Sequence, residues 1–307
     1  MARSSAGRRD RMGNRMPVEH HGTFNGTDLC WFEWGEPKAG ETSLLLAHAT
    51  GFHARCWDQV LHRLDQHAVA VELRGHGRSS NDGPFDWHLF GDDLADFIGQ
   101  VMAEGALAIG HSMGGHAIMQ AALARPQYFS QLLLIDPVIM SPDIYSAAEH
   151  EHSQWVDESG LHPVARRRNY FESVDQMIEN FLSKGSYALW QAEVLRDYCE
   201  WGSVPAEDGV GLQLACPPSV EASVYMGSSK ASLIDRLSEL TIPVRIMRAR
   251  QREGERGTMD FSASPTWPEL ASRLPMGTDQ YLPELTHFIP MQEPDLVADT
   301  ITELLVG

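Results

Sequence analysis

With 307 residues, 43% hydrophobic and 21% charged, the chain holds enough material for one large domain or for a core domain carrying an insertion. Its formal net charge is −18, and within residues 1–16 Arg3, Arg8, Arg9, Arg11 and Arg15 face only Asp10, so the rest is more acidic still. Such a body repels phosphate backbones and anionic bilayer surfaces, which excludes nucleic acid as a partner, and no apolar run approaches the roughly 18 residues that a membrane span needs.

Residues 1–16 are Arg-rich and lack the apolar stretch of a secretory signal, so they are expected to form a disordered tail, with Met12 and Met16 as alternative starts. Cys30, Cys56, Cys199 and Cys216 are widely scattered and form no Cys-x-x-Cys pair. They read as reduced thiols of a cytoplasmic protein. Short strand-like runs follow at 29–34, 43–48, 68–73, 106–109 and 131–135, several almost wholly apolar. With helical segments between them, such runs predict a mostly parallel sheet buried on both faces. Residues 86–103 have helical spacing, with Leu89, Leu94, Phe97, Ile98 and Val101 able to share one face, and 114–125 and 292–305 also read as helices.

From 139 to 228 strand runs disappear and amphipathic helical stretches, such as 171–184 and 188–199, take over. The sheet pattern resumes at 242–247 and 279–283. The expected organisation is therefore an α/β core from 17–138 and 229–307, with 139–228 inserted as a helical cap over the sheet edge.

Ser112, in Gly110-His111-Ser112-Met113-Gly114, directly follows the strand 106–109 and directly precedes a helical run. In that setting the glycines permit a sharp turn that lifts the serine Oγ over the sheet edge. The Met113 N–H and the helix N-terminus would then face an oxyanion formed at a bound carbonyl. A serine needs a base, and His287 lies just after the last predicted strand, where it can reach back across the carboxyl edge of the sheet. Imidazole suits the task because its ordinary pKa is near neutrality. The other histidines carry no such placement. Glu149-His150-Glu151-His152 has poor metal-ligand spacing and reads as a solvated acidic helix end. No dinucleotide or P-loop motif occurs.

The strand–Gly-His-Ser-Met-Gly-Gly–helix unit, the turn Leu73-Arg74-Gly75-His76-Gly77-Arg78-Ser79 and the late Thr286-His287-Phe288-Ile289-Pro290 together resemble the α/β-hydrolase superfamily over roughly 20–138 and 229–307. The resemblance implies a nucleophile–acid–histidine order along the chain, with Ser112 and His287 in the first and last places. It also implies a second oxyanion donor after the strand 43–48, where the family often has His-Gly-X. Here the turn is His48-Ala49-Thr50-Gly51-Phe52-His53, which is longer. Aligning Gly51-Phe52 with Gly-X makes the Phe52 N–H the donor, with Thr50 the runner-up.

The acid departs from the family pattern. After the strand 242–247 the sequence offers Arg248-Ala249-Arg250-Gln251-Arg252 rather than a carboxylate. Asp136, which ends the strand 131–135, is the first choice, because some α/β-hydrolases place the acid there. Asp260 is second, followed by Glu253 and Glu255. The cap aromatics Trp155, Phe171, Phe181, Trp190, Tyr198 and Trp201 are candidates for an acyl pocket or for packing.

The expected activity is hydrolysis of a small or medium carboxylic ester, or a similar acyl substrate, by a carboxylesterase-like serine hydrolase working through an acyl-enzyme, without metal or organic cofactor. A small-molecule acyl substrate is the expected partner, and a homodimer is compatible with the reading. A serine at the elbow argues against the haloalkane dehalogenases and epoxide hydrolases that share the fold, since their chemistry uses an aspartate there. Lactonase, thioesterase, amidase and carbon–carbon bond hydrolase share the same triad, and a small-molecule receptor on the hydrolase fold is the alternative from another class.

Overall fold

A computed structural model describes residues 15–150, 156, 161–207, 209–254 and 260–306, with the backbone alone for 147–150 and 229–230. Its central sheet has the order β1-β2-β4-β3-β5-β6-β10-β11, formed by β1 (Val18–Phe24), β2 (Thr27–Trp34), β3 (Leu44–Ala47), β4 (Ala68–Glu72), β5 (Ala106–His111), β6 (Phe129–Ile135), β10 (Val244–Ala249) and β11 (Gly277–Leu282). β1 and β2 pair antiparallel, as do β2 and β4, and all the other neighbours are parallel.

Alternate residues of the central strands feed two separate cores, one on each face. Leu45, Ala47, Ala108, Leu132 and Leu134 pack on the side of α2 (Trp87–Val101) and α3 (Met113–Ala124). Leu44, Leu46, Leu107, Ile109, Leu133 and Ile135 pack on the side of α1 (Asp58–Leu61) and α9 (Pro294–Val306). This is why β3 to β6 read as continuous apolar runs. β1 escapes a sequence reading because it is the edge strand, with alternating partly exposed residues.

Between β6 and β10 lie α4 (Pro142–His150), α5 (Val174–Leu182), α6 (Ala192–Trp201) and α7 (Pro218–Met226). The expectation of a strand-free insertion is corrected here. β7 (Tyr170–Phe171), β8 (Ser203–Pro205) and β9 (Leu212–Leu214) form a small antiparallel sheet in the order β7-β9-β8. Strands of two or three residues are too short to leave a period-two signature. A third apolar cluster joins this segment to the sheet edge, uniting Phe171, Phe181, Trp190 and Tyr198 with Phe52 and Phe288. The helix α8 (Ile289–Gln292) follows directly on the late histidine.

The disordered-tail expectation for 1–16 also changes at its end. Arg15 is docked, its guanidinium donating to the Leu64 and Gln66 carbonyls at 2.7 and 3.0 Å, while 1–14 lie outside the described residues. Among the described residues no helix is long and apolar enough to cross a membrane, and Cys30, Cys56, Cys199 and Cys216 are buried free thiols.

The loop 73–79 is anchored by a buried ion pair. Arg74 Nε and Nη2 donate to Asp93 Oδ2 and Oδ1, each at 2.6 Å, with side chains 5% and 1% exposed. Removing one partner strands the other charge in the interior. Asp93→Ala is therefore expected to cost about 3–5 kcal/mol in urea unfolding, and Arg74→Met combined with Asp93→Leu to recover most of it. A single-variant cost below about 1 kcal/mol would show that the pair does not anchor the loop.

Candidate active site

Ser112 occupies the tip of the turn between β5 and α3 with φ 58° and ψ −120°, a conformation that L-residues rarely adopt. Close packing enforces it. A Cβ on Gly110 would lie 2.6 Å from the Gly114 carbonyl oxygen, and one on Gly114 would lie 2.6 Å from the His48 carbonyl oxygen. The backbone locks the turn as well: the Ser112 N–H donates to the Ile135 carbonyl at 3.0 Å, and the Ser112 carbonyl accepts from Gly115, His116 and Val138 N–H.

From this tip the Ser112 Oγ lies 2.9 Å from His287 Nε2, and His287 Nδ1 lies 2.7 Å from Asp136 Oδ2. A carboxylate can only accept, so Nδ1 carries the proton and Nε2 accepts from the serine hydroxyl. All three groups are buried, at 6%, 3% and 0% exposure for Ser112, His287 and Asp136. Asp136, also at positive φ (45°), sits one residue beyond β6. Its other oxygen, Oδ1, accepts from the Ala249 N–H at 3.0 Å, the Ser264 hydroxyl at 2.5 Å and the Thr266 hydroxyl at 3.4 Å. Oδ2 is thereby left to His287. The end of β10, where the family pattern has its acid, supplies a backbone N–H to Asp136 instead.

The other carboxylates go elsewhere. Asp260 accepts from Ser262 N–H and hydroxyl at 2.9 and 2.6 Å and pairs with Arg252. The Ser262 bonds, helped by Arg252, hold its pKa down to about 2. Glu253 is exposed, and Glu255 lies outside the described residues.

His287 is fixed from behind. Its carbonyl accepts from His111 Nε2–H at 2.8 Å, its N–H donates to the Phe261 carbonyl at 3.2 Å, and its ring stacks on Phe261. Burial drives the His111 pKa down to about 3, aided by the neighbouring His287, so this donor stays a neutral imidazole.

The turn 48–53 corrects one expectation, that the Phe52 N–H is a free donor. The Phe52 N–H is consumed inside the turn, donating to the Ala49 carbonyl at 3.1 Å, and the Gly51 N–H donates to His76 Nε2 at 2.9 Å. Among the described residues the N–H groups of Thr50 and of Met113, the first residue of α3, have no acceptor. Thr50 lines the same cavity as Ser112. Gly51 has φ 78°, and a Cβ there would strike the Glu221 carboxylate, so the turn is shaped by conformation and by its neighbour together.

Above Ser112 lies a cavity of about 220 Å³, walled by Phe52, Phe181, Tyr187, Tyr225, Phe261 and Phe288. Of the predicted aromatics among the described residues, only Phe181 lines it. Phe171, Trp190 and Tyr198 pack in the cluster behind, Trp201 lies under the Arg55 guanidinium at 3.9 Å, and Trp155 falls outside the described residues. The charged residues of the wall, Arg167, Lys184 and Glu221, carry no sequence signal beyond lying in the insertion.

As for metals, the side chains of Glu149-His150-Glu151-His152 are outside the described residues. Glu19, His21 and Cys30 bring ligand atoms within 4.8 Å of one another on the β1–β2 edge, far along the sheet order from Ser112. There burial and nearby Glu72 keep the Cys30 thiol protonated.

A family model described as "Alpha/beta hydrolase family" matches residues 44–300. The chain belongs to the alpha/beta hydrolase family. It is 22% identical over 284 residues to an sn-1-specific diacylglycerol lipase (ABHD11) of Danio rerio, covering 87% of this chain and 80% of that protein. It is 33% identical over 120 residues to a monoglyceride lipase of Rattus norvegicus, covering 36% and 39%. That second match spans about two fifths of the relative's length. Among solved structures, E-2-(acetamidomethylene)succinate hydrolase superposes with a TM-score of 0.73 at 19% identity, covering 95% of this chain and all of that one, a likeness of fold. Lipase- and esterase-named relatives support a hydrolase function at the level of the family.

The turn 73–79 reaches the site through His76, whose Nδ1–H donates to the Arg74 carbonyl at 2.9 Å while Nε2 accepts from Gly51. Burial lowers its pKa from 6.5 to about 4. The unfolded chain thus binds a proton that the folded chain refuses between these values, and this contribution to stability is lost as pH falls through that window. Replacing His76 by Gln should flatten the fall of unfolding free energy between pH 6 and 4.5 by about one proton, or about 1.4 kcal/mol per pH unit. An unchanged slope would show that His76 is not held neutral in the folded chain.

Proposed function

We propose that this chain hydrolyses a small or medium carboxylic ester, or a similar acyl substrate, through an acyl-enzyme on Ser112, with residues 139–228 acting as the cap that shapes the substrate cavity. The observation that carries the reading is the continuous hydrogen-bonded chain from Asp136 through His287 to Ser112 at the floor of that cavity.

In the first half-reaction the Ser112 Oγ attacks the substrate carbonyl while His287 Nε2 takes its proton. Asp136 holds the Nδ1–H tautomer and stabilises the imidazolium. The carbonyl oxygen, now negative, rests on the Met113 N–H at the N-terminus of α3 and on the Thr50 N–H, which takes the part that the alignment had given to Phe52. His287 then hands the proton to the leaving alcohol. In the second half-reaction a water enters, gives a proton to the same nitrogen and attacks the acyl carbonyl; the bond to Ser112 Oγ then breaks, the acid leaves, and His287 returns the proton to Ser112. At about 220 Å³ the cavity is below the ~300–1,000 Å³ of sites that bury drug-sized ligands, which favours short acyl groups.

The acid assignment is tested by comparing Asp136→Asn with Asp260→Asn on p-nitrophenyl butyrate. Asp136→Asn should lower kcat by about 10⁴ with folding intact, because the wrong histidine tautomer then faces Ser112. Asp260→Asn should stay within about threefold of the parent, its carboxylate serving only its own loop. Near-normal turnover in Asp136→Asn, or a loss of several orders of magnitude in Asp260→Asn, would overturn the assignment.

A further inference from the structure

Two cations, Arg167 and Lys184, stand in the cavity wall over Ser112 against a single anion, Glu221, in surroundings that are otherwise largely aromatic. Arg167 is held from behind. Its Nη1 donates to Glu221 Oε2 at 2.5 Å and its Nη2 to the Tyr198 hydroxyl at 3.2 Å, with Phe181 stacked 5.6 Å from the guanidinium carbon. A guanidinium carries five N–H donors in a fixed fork. These bonds therefore fix its plane and leave donors over, including Nε–H, for which no partner occurs among the described residues.

Glu221 is committed in turn, bound to Arg167 and packed against Gly51 in the oxyanion turn. Lys184 is exposed at the lip of the cavity, its Nζ 5.5 Å from the Phe181 ring, and no carboxylate among the described residues pairs with it. Partial burial and the nearby Arg167 and Arg168 charges push its pKa below the usual lysine value. In a chain of net charge −18 carboxylates are plentiful. An unpaired lysine kept beside two arginines is thus an electrostatic cost that an arriving anion would relieve.

We infer that the cavity is built for a substrate that carries a carboxylate, seated by Arg167 and Lys184 while its ester carbonyl lies at Ser112. The reaction part of this inference rests on the hydrolase reading above; the binding of the anion does not. The carboxylate can sit on the acyl chain or on the leaving group, and the two present the same chemistry to the cations.

The experiment has one arm for each source. Wild-type kcat/KM is compared between p-nitrophenyl hydrogen adipate and p-nitrophenyl hexanoate, and between 4-acetoxybenzoate and 4-methylphenyl acetate. In at least one arm the charged ester should be preferred about tenfold, equivalent to about 1.4 kcal/mol. Lys184→Gln should remove most of that preference and Lys184→Glu should reverse it. These variants are chosen because Lys184 is exposed and unpaired, whereas replacing Arg167 alone would strand buried Glu221. A calorimetric titration of Ser112→Ala with methyl hydrogen adipate and with methyl hexanoate, which differ in the carboxylate, reads binding without turnover.

Equal or poorer use of the charged ester in both arms, with the neutral esters turned over, overturns the inference and leaves the hydrolase reading intact. If no ester is turned over but methyl hydrogen adipate binds about tenfold more tightly than methyl hexanoate, in a manner lost with Lys184→Gln, the hydrolase reading falls and the inference stands. If there is neither turnover nor preferential binding, both fall.

Discussion

The carboxyl edge of the sheet is organised around one buried carboxylate. Asp136 is fully enclosed, and an enclosed charge is tolerable only when its lone pairs are satisfied. Ala249 from β10, Ser264 and Thr266 from the following loop, and His287 from the last loop all converge on it. One group therefore ties together segments that are far apart in the chain, and in doing so it fixes the ring that faces Ser112. The strained backbone at Ser112 is paid for by this surrounding packing, through Gly110, Gly114 and the bonds from Ile135 and Val138.

Around that centre, neutral histidines serve as connectors between turns. His48 accepts from the Leu73 N–H and donates to the Ala49 carbonyl, His76 links Arg74 to Gly51, and His111 holds the His287 carbonyl. A neutral imidazole offers one donor and one acceptor on a rigid ring, which lets His48 and His76 each bridge two backbone segments, while His111 uses only Nε2. Burial depresses the pKa of all three. The turn 48–53 thus depends on the turn 73–79 behind it, which is itself held by the Arg74–Asp93 pair.

The parts of this arrangement that were legible in the sequence are those fixed locally. β3 to β6 announce themselves because both faces are buried, and the elbow at Ser112 is readable because glycine is required on either side of it. His287 is readable from its place after the last strand. The candidate acid is not unique in the sequence. Asp136, Asp260 and two glutamates were all plausible, and what separates them is the contacts from Ala249, Ser264 and Thr266, which no spacing encodes. The sequence favours the Phe52 N–H over that of Thr50 because the turn resembles a lengthened Gly-X. That preference fails once Ala49 and His76 claim the Phe52 and Gly51 N–H groups. Arg167, Lys184 and Glu221 left no pattern at all, since they come from three different parts of the insertion and meet only in the folded cavity.

The proposed chemistry requires the His287–Asp136 pair to make Ser112 a nucleophile. Its most direct measurement is covalent labelling with a fluorophosphonate, followed by peptide mapping of the intact chain by mass spectrometry. One adduct per chain is expected, located on Ser112. A protein that stays unlabelled, or one labelled at another residue with Ser112 unmodified, would contradict it.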